Sequence, residues 1–177
     1  MPLAFLGVAA LALVAAAWWF GTRPRVYRNI PLNGLRRFVS SLLSQMAPGG
    51  FFVANRQGGA GFLQLALRTT TPQSYTVEFG LPEIDWSAPH FESVRSAVER
   101  DAFEHTIEQG TGDVSRFMRI VITGTAEQVG DRALTLFKIV ADTLGWDASS
   151  SFTVRFGGTL DVPRIRAHLA STRGRGA

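Results

Sequence analysis

The sequence predicts an α+β protein: one N-terminal transmembrane helix, then a small antiparallel-sheet domain packed by two or three helices in the order α-βββ-α-ββ-α. Three observations carry this. Residues 2–20, PLAFLGVAALALVAAAWWF, are an unbroken apolar run without a charge. From residue 32 onward, helical and alternating apolar spacings succeed one another. Turns bearing glycine and proline separate them. The expected division is an anchor over 1–20, a basic linker over 21–31, an α+β domain over 32–160 and a basic tail over 161–177.

The anchor reading rests on length and flanks. A helix over residues 2–20 spans roughly 28 Å, close to the hydrocarbon thickness of a bilayer. Trp18, Trp19 and Phe20 stand at one end, where aromatic rings favour the headgroup level, and Arg23, Arg25 and Arg28 follow. The positive-inside rule then places the N-terminus outside and the domain in the cytoplasm, as a single-pass protein of the inner membrane. A cleaved signal peptide is the rival, with Ala15-Ala16-Ala17 as its cleavage site. The absence of Lys or Arg before the run, and their presence after it, count against that. Ala9, Ala12 and Ala16 share one helix face with Gly7 nearby, a surface on which another membrane helix could pack closely.

Charge is unevenly spread. Residues 21–37 hold five arginines and no acid, whereas residues 38–154 hold eight basic and thirteen acidic side chains. Residues 155–177 hold five arginines and Asp161. A mildly acidic body between basic ends suits a domain held near an anionic leaflet, with membrane lipids as partners. Nucleic acid is not expected as a partner: no zinc finger, RNP-like strand or lysine-rich patch is present, and Lys138 is the one lysine. The chain has no cysteine, which excludes disulfides, thiol chemistry and cysteine-based zinc sites.

The linker is marked by Pro24 and Pro31. Residues 32–47 read as an amphipathic helix, with Leu35, Phe38, Val39, Leu42, Leu43 and Met46 at helical spacing and Pro48-Gly49-Gly50 as its stop. FFVANR (51–56) and FLQLALRT (62–69) read as a hairpin, and YTVEFG (75–80) as a third strand. A loop over 81–90 carries Ser87 as a candidate N-cap before Pro89. Phe91, Val94 and Val98 then line a helix over 89–100. Residues 102–109 fit either a continuation of that helix or a strand, and alternation favours the strand. SRFMRIVIT (115–123) reads as a clear strand. Thr125 and Gln128 form a capping-box signature at the start of the next helix, and Gly145 follows its last turn. SFTVRF (151–156) reads as a last strand, and 161–170 as a short helix.

The Gly-turned hairpin, the strand FMRIVITG running into a helix, and the Leu144-Gly145-Trp146 ending resemble the type III secretion chaperone-like fold over residues 32–147. The resemblance implies a small α+β sandwich that binds protein, often as a dimer, without a cofactor. The chain adds to that pattern an apolar N-terminal run, an extra C-terminal strand and a basic tail.

No residue pattern demands catalysis. His90, His105 and His168 lack a second histidine at ligand spacing. On a strand, Glu104 and Glu108 point away from His105, so the three do not converge on a metal. Gly110-Thr111-Gly112 lacks the Lys-Ser/Thr of a phosphate loop, and Ser149-Ser150-Ser151 lacks a nucleophile-elbow frame. The expectation is a non-enzyme with no cofactor and no metal. Its leading function is a structural or accessory subunit of a larger bacterial integral membrane complex, for which an electron-transport or photosynthetic assembly is one setting. The alternative is a membrane-tethered, chaperone-like peptide-binding module.

Overall fold

Period-two alternation builds most of the domain. The computed structural model describes residues 26–147 and 149–161. Its strands are β1 (Val26–Pro31), β2 (Phe51–Arg56), β3 (Phe62–Thr70), β4 (Tyr75–Pro82), β5 (Glu104–Gln109), β6 (Arg116–Gly124) and β7 (Ser151–Gly157). Its helices are α1 (Arg36–Gln45), α2 (Phe91–Arg100) and α3 (Ala126–Thr143), with 3-10 turns leading into the first two. The seven strands form one sheet, ordered β1-β7-β2-β3-β4-β6-β5, and every neighbouring pair is antiparallel.

The inward face of each strand follows from its apolar positions. Phe52 and Ala54 on β2, Leu63, Leu65 and Leu67 on β3, and Val77, Phe79 and Leu81 on β4 are buried. Met118, Ile120 and Ile122 on β6, and Phe152 and Val154 on β7, complete that face. All three helices cover it. Helix α3 lies between α1 and α2, over β4 and β6, while α1 reaches β2 and β3. Phe137 of α3 is central: its ring centroid lies 6.1 Å from that of Phe52 and 6.0 Å from that of Phe79. Each large apolar side chain fully removed from water here stabilises the fold by about 1.5–3 kcal/mol.

Local signals set the helix ends. The Thr125 hydroxyl accepts from the Gln128 backbone N–H at 3.3 Å, and the Thr125 N–H donates to Gln128 Oε1 at 2.9 Å. Two free donors of the first turn of α3 are thereby satisfied. At its other end Gly145 adopts φ +65°, its N–H donates to the Asp142 carbonyl, and the Trp146 N–H donates to the Ala141 carbonyl. This is a Schellman ending, which requires a residue at ease in the left-handed region.

Several expectations are corrected. The architecture containing a membrane-spanning helix does not stand: among the described residues no helix is long and apolar enough to cross a membrane. The physical reason is that each helix is amphipathic, with α1 carrying Arg36 and Arg37, α2 carrying Glu92, Arg95, Glu99 and Arg100, and α3 carrying Glu127, Asp131, Arg132 and Lys138. The membrane and single-pass descriptions lose their structural support with it. The segment 1–20 to which they attached lies outside the described residues, as does the short helix expected beyond residue 161. The element order is β-α-βββ-α-ββ-α-β rather than α-βββ-α-ββ-α. The added first strand is β1, in the stretch read as linker. Pro31 ends β1 at the rim of the sheet, where a missing N–H leaves the ladder intact. Residues 104–109 form a strand, the alternative that the alternation favours. Ser87 makes no helix-capping bond; its hydroxyl accepts from the Ile84 N–H at 3.0 Å and donates to the Pro82 carbonyl, tying the loop after β4.

Candidate interaction face of the sheet

The second face of the sheet carries no helix among the described residues. Its composition follows from the registers. One row across the strands reads Gly157, Phe51, Ala66, Glu78, Val121 and Glu104. The next reads Arg155, Val53, Gln64, Gly80, Arg119 and Thr106. Phe117 and Glu108 pair in the row beyond. Phe51, Val53, Ala66, Phe117 and Val121 are half-buried, so the face offers apolar surface.

Two of its aromatic rings lie flat because glycine leaves room for them. The Phe51 ring occupies the place a Cβ would take on Gly157, directly opposite it on β7. The Phe117 ring does the same over Gly80 on the neighbouring strand. Each ring covers backbone that no side chain shields.

The other half of the face is a run of alternating charge across four strands. Arg68 Nε on β3 donates to Glu78 Oε2 on β4 at 3.0 Å, with a second bond from Nη2 to the other oxygen. Arg119 Nη1 on β6 donates to Glu78 Oε1 at 2.9 Å, and its Nε lies 2.9 Å from Glu108 Oε2 on β5. Burial pushes the Glu78 carboxyl up, but the hydrogen bond and charge of Arg68, with the charge of Arg119, outweigh it and hold the group below the usual carboxylate range. The Glu78 bond in turn raises the Arg68 guanidinium above its ordinary value. These four side chains neutralise one another. Glu104 and Arg155, both exposed, have no charge partner among the described residues.

The two charges left over stand near opposite edges, and the rest of the domain shares their polarity. Residues 26–56, which supply β1, α1 and β2, hold four arginines and no acid. Residues 83–113, which supply α2 and β5, hold eight acids and two arginines. Sheet order puts the first group at one rim and the second at the other.

The residues singled out by sequence scatter. Trp18, Trp19, Phe20, Arg23 and Arg25, and the helix-packing set Gly7, Ala9, Ala12 and Ala16, lie outside the described residues. Arg28 is exposed on the rim strand β1. His105 sits on the helix side of β5, its Nε2 3.5 Å from Glu99 Oε1, while Glu104 and Glu108 take the opposite face. His90 precedes α2, and His168 lies outside the described residues. Among the described residues no group of three or more His, Asp or Glu could hold a metal ion. Ser151 opens β7 and donates to Gln57 Oε1 at 2.9 Å, a loop-tying role. Sequence reasoning missed the charge run. Its members all fall on the polar side of strand alternation, but only the registers align them.

No protein-family model, curated protein or solved structure matches this chain.

Proposed function

We propose that this chain is a non-catalytic accessory subunit, an interaction domain that docks on protein through the helix-free face of its sheet. One observation carries the reading: half-buried aromatic and aliphatic side chains sit beside charges that are already paired among themselves. Such a face loses less on desolvation than one bearing unpaired ions, and gains from covering its apolar half. Crosslinking mass spectrometry on the protein isolated from its native cells tests it. The reading expects crosslinks from a stoichiometric protein to the strands β2, β3 and β6. It falls if Phe51, Val53 and Phe117 are as accessible to footprinting in the cell as in the isolated chain.

A second reading is a chaperone-like module that takes an extended peptide along β5, which has a sheet neighbour on one side only. Exposed Glu104 and Glu108 favour a basic client there and discourage indiscriminate pairing. Saturable binding of a basic extended peptide, lost in Thr106→Pro, would support this reading over the first.

A further inference from the structure

We infer that the partner seated on the helix-free face is a second copy of this chain, packed face to face about a two-fold axis parallel to the strands. The inference rests on the docking role assigned to that face. The face is basic toward β7 and acidic at β5, with its own ion run neutralised between them. A two-fold axis along the strands, above the boundary of β3 and β4, reverses strand order in the second copy. It lays β7 of each copy over β5 of the other, and β2 over β6.

The registers then set the contacts. Arg155 shares its row with Thr106, and Glu104 and Glu108 flank Thr106 along β5. The Arg155 guanidinium of one copy therefore meets a gap between two carboxylates of the other. Phe51 shares its row with Val121, so these two apolar side chains meet across the axis. Every contact occurs twice, as an isologous interface requires. A two-fold axis across the strands would instead set β5 on β5 and oppose like charges.

The size is adequate. About this axis six strands of each copy overlap, with β1 beyond the partner's β5; at about 4.8 Å between strands and about 3.4 Å per residue they give on the order of 600 Å² per copy. A stable interface of ordinary size needs about 800 Å² per partner, and projecting side chains add area to the flat figure. An axis along the strands keeps the two mean strand directions close together, within the roughly 30° of aligned sheet packing.

The test is a charge-reversal cycle read by analytical ultracentrifugation on the full chain. Because the apolar run 2–20 could itself associate, the variants decide rather than the wild-type mass alone. Glu104→Arg and Arg155→Glu should each raise the dimer dissociation constant at least about tenfold. The combined variant should recover most of the loss, since each reversed charge then meets its reversed partner. Thermal melts of all four proteins show that these exposed substitutions leave the fold intact. The inference is overturned if the wild type is monomeric, if either single variant dimerises as the wild type does, or if the folded double variant fails to recover. Crosslinks from the face to a different protein, or to residues 2–20 of the same chain, overturn the second-copy assignment. A different protein there leaves the docking role standing, whereas a face open to footprinting in cells removes both.

Discussion

Arg116 holds Glu83 with two parallel hydrogen bonds, Nε to Oε2 and Nη2 to Oε1, each 2.8 Å. The backbone joins the same pair, since the Glu83 N–H donates to the Arg116 carbonyl at 2.8 Å. The third guanidinium nitrogen lies 2.7 Å from Glu92 Oε1 on α2. One side chain thus fastens the end of β4, the start of β6 and the first turn of α2.

This pairing makes stability depend on pH. The hydrogen bonds from Arg116 outweigh partial burial and hold the Glu83 carboxyl below its ordinary value; Glu78 is likewise lowered. A carboxylate lowered in the folded state contributes stability that is present above its unfolded value, about 4.3. That contribution is lost as pH falls through the lower folded value. Urea melts at pH 7, 4 and 3 should show a midpoint falling with acidity. The fall should be shallower in Glu83→Gln and in Glu78→Gln.

The aromatic cluster beyond β2 and β3 depends on one glycine. Trp86 and Trp146 have ring centroids 6.2 Å apart, and Phe62 and Phe152 flank them. Gly61 adopts φ +112°, and a Cβ on it would stand 2.5 Å from Cζ2 of Trp146. Gly61→Ala adds backbone strain to a clash with a packed ring, and should cost about 2–3 kcal/mol. Chemical denaturation followed by tryptophan fluorescence would show both the loss and a shifted native emission.

Phe137 stands where helix and sheet meet. Phe137→Ala removes the ring between Phe52 and Phe79 and leaves a cavity the sheet cannot close. The expected loss is about 3–5 kcal/mol, a large share of the stability of a domain this size. Equilibrium unfolding by circular dichroism measures it.

Thr125→Ala removes one half of the capping box at the start of α3. The expected cost is about 1 kcal/mol. Thr125→Asn should restore most of it, which separates a capping effect from any other.

What the residues disclosed in advance was what depends on near neighbours. The stripe of Phe38, Val39, Leu42 and Leu43 marks α1, and Thr125 with Gln128 marks the start of α3, because each pattern lies within a few residues. The alternation of Leu63, Leu65 and Leu67 marks a strand but not its neighbours. Strand β1 was hidden by its prolines: Pro24 and Pro31 discourage a helix, yet Val26, Tyr27 and Ile30 still supply apolar positions for a rim strand. The partnership of Arg68, Glu78, Arg119 and Glu108 was hidden for another reason. It joins four strands, so it exists only once three registers are fixed.

The last of the described strands lies inside the sheet. β7 fills the place between β1 and β2, so it is the neighbour both need. During synthesis β1 leaves the ribosome before every other described strand and waits for β7 before it has a described strand to pair with. Tyr27 and Ile30 stay uncovered on that side through this interval. A chain that stops before residue 151 leaves the ladders of β1 and β2 open at the place that β7 fills. Translation of β7, more than the formation of any helix, therefore sets the moment at which the described sheet closes.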